Sequence, residues 1–173
     1  SPDARFIAIT RQDGGTADIW IIDSQENRDW RLTRDAADDM NPVWSQPTGD
    51  RVAFTTFRKG NADIYVTNAN GLGQDAPLID SPADEFVEDW SKDGRFIAFK
   101  LVKDGFEDIY IQALTRDGKP DGKPAAVVEG RYHKDEPQFS YDGKWLAYTS
   151  DESGTYEVYV ISLPDRLQKF KVS

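Results

Sequence analysis

Hydrophobic positions along the chain recur in short runs that alternate with polar ones. One kind of run is Phe6-Ile-Ala-Ile9, Val52-Ala-Phe54, Phe96-Ile-Ala-Phe99 and Trp145-Leu-Ala-Tyr148. A second kind is Ile19-Trp-Ile21, Ile64-Tyr-Val66, Ile109-Tyr-Ile111 and Val158-Tyr-Val160. Both are rich in β-branched and aromatic residues and are bounded by Gly, Asp, Asn or Pro, the pattern of strands closed by turns. No window carries the 3.6-residue period of an amphipathic helix. The pattern predicts an all-β chain.

The runs repeat at a fixed distance. Ala8, Ala53, Ala98 and Ala147 are spaced by 45, 45 and 49 residues, and Ile19, Ile64, Ile109 and Val158 keep the same spacing. Two independent markers on one period establish an internal repeat. Each unit parses into four strands, a to d. Strand a ends at an aromatic-Ser pair such as Trp44-Ser45, a turn such as Lys92-Asp93-Gly94 leads into strand b, and a glycine turn leads to strand c. A short strand d closes the unit, at Arg31–Thr33, Pro77–Ile79, Ala125–Val128 and Phe170–Ser173. Four strands every 45 or so residues is the signature of a β-propeller blade. The expectation is one propeller domain over 1–173, with blades at about 1–34, 35–80, 81–129 and 130–173. The first blade lacks its strand a. Small alanines in strand b let neighbouring sheets approach, aromatics on strand c fill the outer space, and Trp44, Trp90 and Phe139 wedge between blades.

These motifs resemble the TolB-like propeller repeat, a WD-repeat-like family with the pattern Pro-x-Trp-Ser-Pro-Asp-Gly, then Ile-Ala-Phe, then Asp-Ile-Tyr. The resemblance covers essentially the whole chain. Departures are local: Ala4 stands for the turn Gly, Lys92 and Tyr141 for the second Pro, and Glu88 for the first Pro. The second unit has one extra residue across Gln46–Gly49. The resemblance implies a bacterial, periplasmic or otherwise extracytoplasmic interaction domain, part of a larger propeller. It also implies alternatives: the gating propeller of a prolyl-oligopeptidase-like peptidase, or the sensor propeller of a membrane-anchored protein kinase. A ring that only holds other domains apart is a further reading.

Charge narrows the partners. The 173 residues carry 21 basic and 31 acidic side chains, a formal charge of −10. Phosphate binding needs clustered Lys and Arg, so nucleic acid is not an expected partner. No apolar run nears the ~18–20 residues that span a bilayer, so no direct membrane insertion is expected. With no cysteine, disulfides and thiolate chemistry are excluded.

Catalytic signatures are missing: there is no Gly-x-Ser-x-Gly elbow, Walker loop or dinucleotide fingerprint. The expectation is a non-enzymatic protein- or peptide-binding platform, with no cofactor and no metal, and with self-association through open blade edges. The candidate binding residues lie in the loops joining strand d to the next strand a, which border a propeller's channel. They are Asp38 and Asp39, then Asp84, Glu85, Glu88 and Asp89, then His133, Asp135 and Glu136. Gathered at one mouth, these acids would focus negative potential and favour a cationic ligand, a basic peptide segment or a hard metal ion. His133, the only histidine, would then titrate among carboxylates.

Overall fold

In the computed structural model all 173 residues are described, the side chain of Asp13 apart. Among the described residues there are fifteen strands and no helix. They form four antiparallel sheets, each a meander. The first is three-stranded, β1 (Phe6–Asp13), β2 (Thr16–Asp23) and β3 (Arg28–Arg31). The second is β4 (Asp39–Trp44), β5 (Arg51–Thr56), β6 (Asp63–Asn68) and β7 (Ala76–Ile79). The third is β8 (Asp84–Trp90), β9 (Phe96–Lys103), β10 (Phe106–Ala113) and β11 (Ala125–Val128). The fourth is β12 (Lys134–Phe139), β13 (Trp145–Ser150), β14 (Glu157–Ser162) and β15 (Lys169–Lys171). The chain gathers into two compact units, Ser1–Val87 and Glu88–Ser173.

In the N-terminal unit the first two sheets pack face to face. Residues opposite each other in a ladder point to the same side, and Ala8 opposes Ile21 in the first sheet while Phe54 opposes Tyr65 in the second. The first sheet offers Ala8, Ile19 and Ile21, and the second answers with Val52, Phe54, Tyr65 and Trp44. Ile19, Ile21, Val52 and Phe54 are wholly buried. In the C-terminal unit the third sheet offers Ala98, Ile109 and Ile111, and the fourth answers with Leu146, Tyr148, Tyr159 and Phe139. Ala53 and Ala98 are both fully buried in their strands. Trp44 and Phe139 sit against the preceding sheet, as wedges between blades would.

The turns explain the polar part of the repeat. In Ser91-Lys-Asp-Gly94 the Ser91 hydroxyl donates to Asp93 at 2.7 Å and accepts the Phe96 N–H at 2.9 Å. Ser140 makes the same pair of bonds to Asp142 (2.7 Å) and from the Trp145 N–H (3.0 Å). The glycine ending this turn lies in the left-handed region, at φ 67° for Gly143, and Ala4 is held at φ 58° where the glycine is missing. Strand d begins earlier than its hydrophobic run suggests in the first sheet: β3 is Arg28–Arg31, not Arg31–Thr33. The cause is a bulge. Leu32 and Thr33 both donate their N–H groups to the Ile19 carbonyl, and the Thr33 hydroxyl takes the Ile19 N–H at 3.0 Å.

Candidate binding surfaces

The acids expected in loops lie almost entirely on the first strands of the second, third and fourth sheets. Asp39 is in β4, Asp84, Glu85, Glu88 and Asp89 are in β8, and Asp135 and Glu136 are in β12. Only Asp38 and His133 immediately precede a strand. Alternation along these strands then splits the acids into groups with different surroundings.

In the N-terminal unit, Asp38 Oδ1 accepts the Ala17 N–H at 2.7 Å and Asp84 Oδ1 accepts the Ala62 N–H at 2.9 Å. Both carboxylates therefore complete the preceding hairpin. Asp39 and Glu85 are fully buried. Burial pushes the Asp39 carboxyl up, against the hydroxyls of Thr56 and Thr33 and the charge of Arg58, whose Nη2 lies 3.4 Å away. Glu85 is likewise pushed up by burial, against the Ser81 hydroxyl that donates to it. Neither is placed to meet a protein partner at the surface.

In the C-terminal unit, Asp89 accepts the N–H groups of Trp90 and Phe139, each at 2.8 Å. His133 is exposed, with Nδ1 3.1 Å from Glu107 Oε2. Asp135 holds Lys100 Nζ with both oxygens at 2.9 Å. Glu136 is exposed at φ 54°, in a bulge of β12. Glu88 is half-buried, and its carboxyl is pushed up to about 7, by burial first and then by Asp135 and Glu136, against the pull of Lys100. Glu88, Asp135 and Glu136 thus form one acidic ridge, which Lys100 balances in part. Asp135 and Glu136 also border a shallow recess of about 390 Å³ with Thr149, Tyr156 and Ser173. Among the described residues no group of three or more His, Cys, Asp or Glu side chains is placed to hold a metal ion, and no helix is long and apolar enough to cross a membrane.

Comparison with known proteins places this architecture. No family model matches the chain. It is 27% identical over 188 residues to the uncharacterized peptidase YuxL of Bacillus subtilis, covering 87% of this chain and 28% of that protein. It is 28% identical over 139 residues to the TolB homolog of Chlorobium luteolum, covering 77% of this chain and 28% of that one. The structure of a putative TolB from Agrobacterium tumefaciens superposes on all of this chain and 59% of its own, at TM-score 0.82 and 20% identity. The fold is that of a TolB-like β-propeller. The chain spans less than a third of the length of either curated relative.

In this TolB-like propeller the Asp-Ile-Tyr marker carries more than packing. The acid of each marker, Asp18, Asp63, Asp108 or Glu157, lies on the third strand of its blade, fully buried at Asp18 and Asp63 and half-buried at Asp108 and Glu157. Sequence reading treated it only as a repeat marker and missed Lys100, Glu107 and Arg58 as the groups that set local charge. Lys100 directly follows the Phe96–Phe99 run and opposes Ile109. Its position just past a core run was the available signal.

Proposed function

We propose that this TolB-like propeller is a non-catalytic, extracytoplasmic platform that binds a basic segment of a protein partner on the ridge of Glu88, Asp135 and Glu136. The observation that carries the reading is the state of Glu88. Its half-buried carboxyl is pushed up to about 7 by burial first and then by Asp135 and Glu136, against the pull of Lys100, and a Lys or Arg from a partner would offset that excess of acid. Asp38 and Asp84 are outside the proposed surface because they serve backbone N–H groups.

The test is calorimetric titration of a Lys/Arg-rich decapeptide at low salt. The double change Glu88→Gln and Glu136→Gln is expected to weaken binding about tenfold or more, with a shallower salt dependence. Unchanged affinity in that variant sinks the reading. A second reading is favoured by the likeness to peptidase YuxL over 87% of the chain: the propeller gates a peptidase. A hydrolase domain in the same reading frame would support it, and the peptide would then be a substrate segment.

A further inference from the structure

The acids that precede the Ile-Trp, Ile-Tyr or Val-Tyr pair in the four sheets differ in one respect. Asp18 Oδ2 lies 2.6 Å from Arg31 Nη2, Asp108 Oδ1 3.3 Å from Lys134 Nζ, and Glu157 Oε1 2.7 Å from Lys171 Nζ. Asp63, equally placed in the second sheet and wholly buried, forms no ion pair among the described residues. Lys59, whose charge reaches Asp63, is bridged to Asp80.

The missing charge traces to one position. Lys134, the first residue of β12, donates Nζ to the carbonyls of Gly130 and Tyr132, both at 2.7 Å, besides meeting Asp108. Counting back from Trp90 and Phe139, the residue of β8 in the same place is Glu85. The carbonyls four and two residues before it, Ser81 and Ala83, accept instead from Asn61 Nδ2 at 2.9 and 2.7 Å. That same nitrogen reaches Asp63 Oδ1 at 3.3 Å. A neutral amide therefore makes the lysine's hydrogen bonds without bringing its charge.

Glu85 is tied into this network from the other side. Its N–H donates to the Ala62 carbonyl at 2.8 Å, and its Oε1 takes the Ser81 hydroxyl. Two oxygens are left over, Asp63 Oδ2 and Glu85 Oε2, buried and with no hydrogen-bond partner. Each carboxyl is pushed up by burial first, and the charge of Asp63 adds to the effect on Glu85. Asp80 and Asp84 deepen the negative field, and Lys59 is the opposing charge. Ionised oxygens left buried without a hydrogen bond, with their one counter-charge already bridged to Asp80, are costly.

We propose that a hard divalent cation, calcium or magnesium, seats between Asp63 Oδ2 and Glu85 Oε2 and supplies the charge that Arg31, Lys134 and Lys171 supply in the other sheets. Carboxylate oxygens are the ligands such ions select, and magnesium accepts as few as one or two of them, keeping water elsewhere. The site is separate from the acidic ridge of the C-terminal unit and stands or falls without it.

The experiment is thermal unfolding of the chelator-treated chain, repeated with calcium or magnesium chloride at constant ionic strength. One of the two ions is expected to raise Tm by about 5–10 °C at a hundredfold excess over its Kd, and calorimetry to count one ion per chain. Glu85→Lys, which copies Lys134, is expected to remove the ion dependence and to melt above the wild type in chelator. Glu85→Gln removes the ion dependence without importing a charge, and decides the matter should the lysine variant not fold. The proposal is overturned if neither ion moves Tm, or if the shift survives undiminished in Glu85→Gln. Melting that ignores both ions but falls as pH rises above the ordinary carboxylate range would mean a proton shared between the carboxyls, and would overturn it too.

Discussion

In the N-terminal unit the core between sheets is Ile19, Ile21, Val52, Phe54 and Tyr65; in the C-terminal unit Ile109, Ile111, Leu146, Tyr148 and Tyr159 hold the corresponding registers. Charge does not follow the same rule. At the head of its first strand the second sheet buries an acid, Asp39, answered by Arg58, and the fourth buries a base, Lys134, answered by Asp108. Fill differs as well. Where Ala69 leaves a cleft of about 670 Å³ beside Phe6, Trp30 and Trp44, Leu163 and Arg166 narrow its counterpart beside Phe139 to about 330 Å³. Sheet-on-sheet packing admits few solutions, so the repeat holds it. Buried charge only has to be cancelled, by whichever neighbour carries the opposite sign.

The comparison breaks most sharply at Lys134. Lys134→Met leaves the Asp108 carboxylate and two carbonyls without their ammonium, so a loss of about 3–5 kcal/mol is expected in urea unfolding. Asp39→Asn is expected to cost less than half as much, because Arg58 keeps Asp75 at 3.1 Å. Equal losses at the two positions would show that the two charge schemes are not alternatives of one design.

A smaller effect separates the first and last sheets at the turn before strand b. Ala4 sits at φ 58° and Gly143 at φ 67°, with open space where a Gly143 side chain would go. Only backbone preference differs between them. Ala4→Gly is therefore expected to stabilise, and Gly143→Ala to destabilise, by about 1 kcal/mol each, read from the shift in urea midpoint. A loss on Ala4→Gly would mean that unfolded-chain entropy outweighs the strain.

The blade architecture was legible because its signals are periodic. A two-residue alternation and a 45-residue repeat survive in any single sequence, and glycine, Ser and Asp in the turns report local backbone needs. The bulge that moved β3 was not legible, since it depends on the Thr33 hydroxyl replacing a ladder bond. The candidate site was read less well for a related reason. Acids such as Asp38, Asp39 and Glu136 look alike in sequence, yet one completes a hairpin, the next is buried and the last is exposed. Alternation on a strand decides between them, and the turn-like composition around these residues predicts loops instead. Asp63 and Glu85 are 22 positions apart, so nothing local announced that they share a hydrogen-bond network.

The subtlest difference between the units is expected in their pH response. In the N-terminal unit, Arg5 bonds Asp23 through Nη2 at 2.7 Å and holds its carboxyl at about 2. A depressed acid contributes stability that is present above its ordinary 3.8 and lost as pH falls towards 2. Glu88 in the C-terminal unit acts with the opposite sign. Its carboxyl is raised from 4.5 to about 7, so between those values the folded chain holds a proton that the unfolded chain has released. Its contribution is complete below 4.5 and fades as pH climbs through 7. Urea midpoints measured from pH 4.5 to 7.5 should therefore fall less steeply in Glu88→Gln than in the wild type, while Asp23→Asn should leave that slope alone and flatten only the acid limb. Since Glu88 is only half-buried, solvent screens its neighbours and the change should be smaller than either turn substitution gives. An unaltered slope in Glu88→Gln would mean that Lys100 already neutralises the ridge, and with it the reason for a basic partner to bind there.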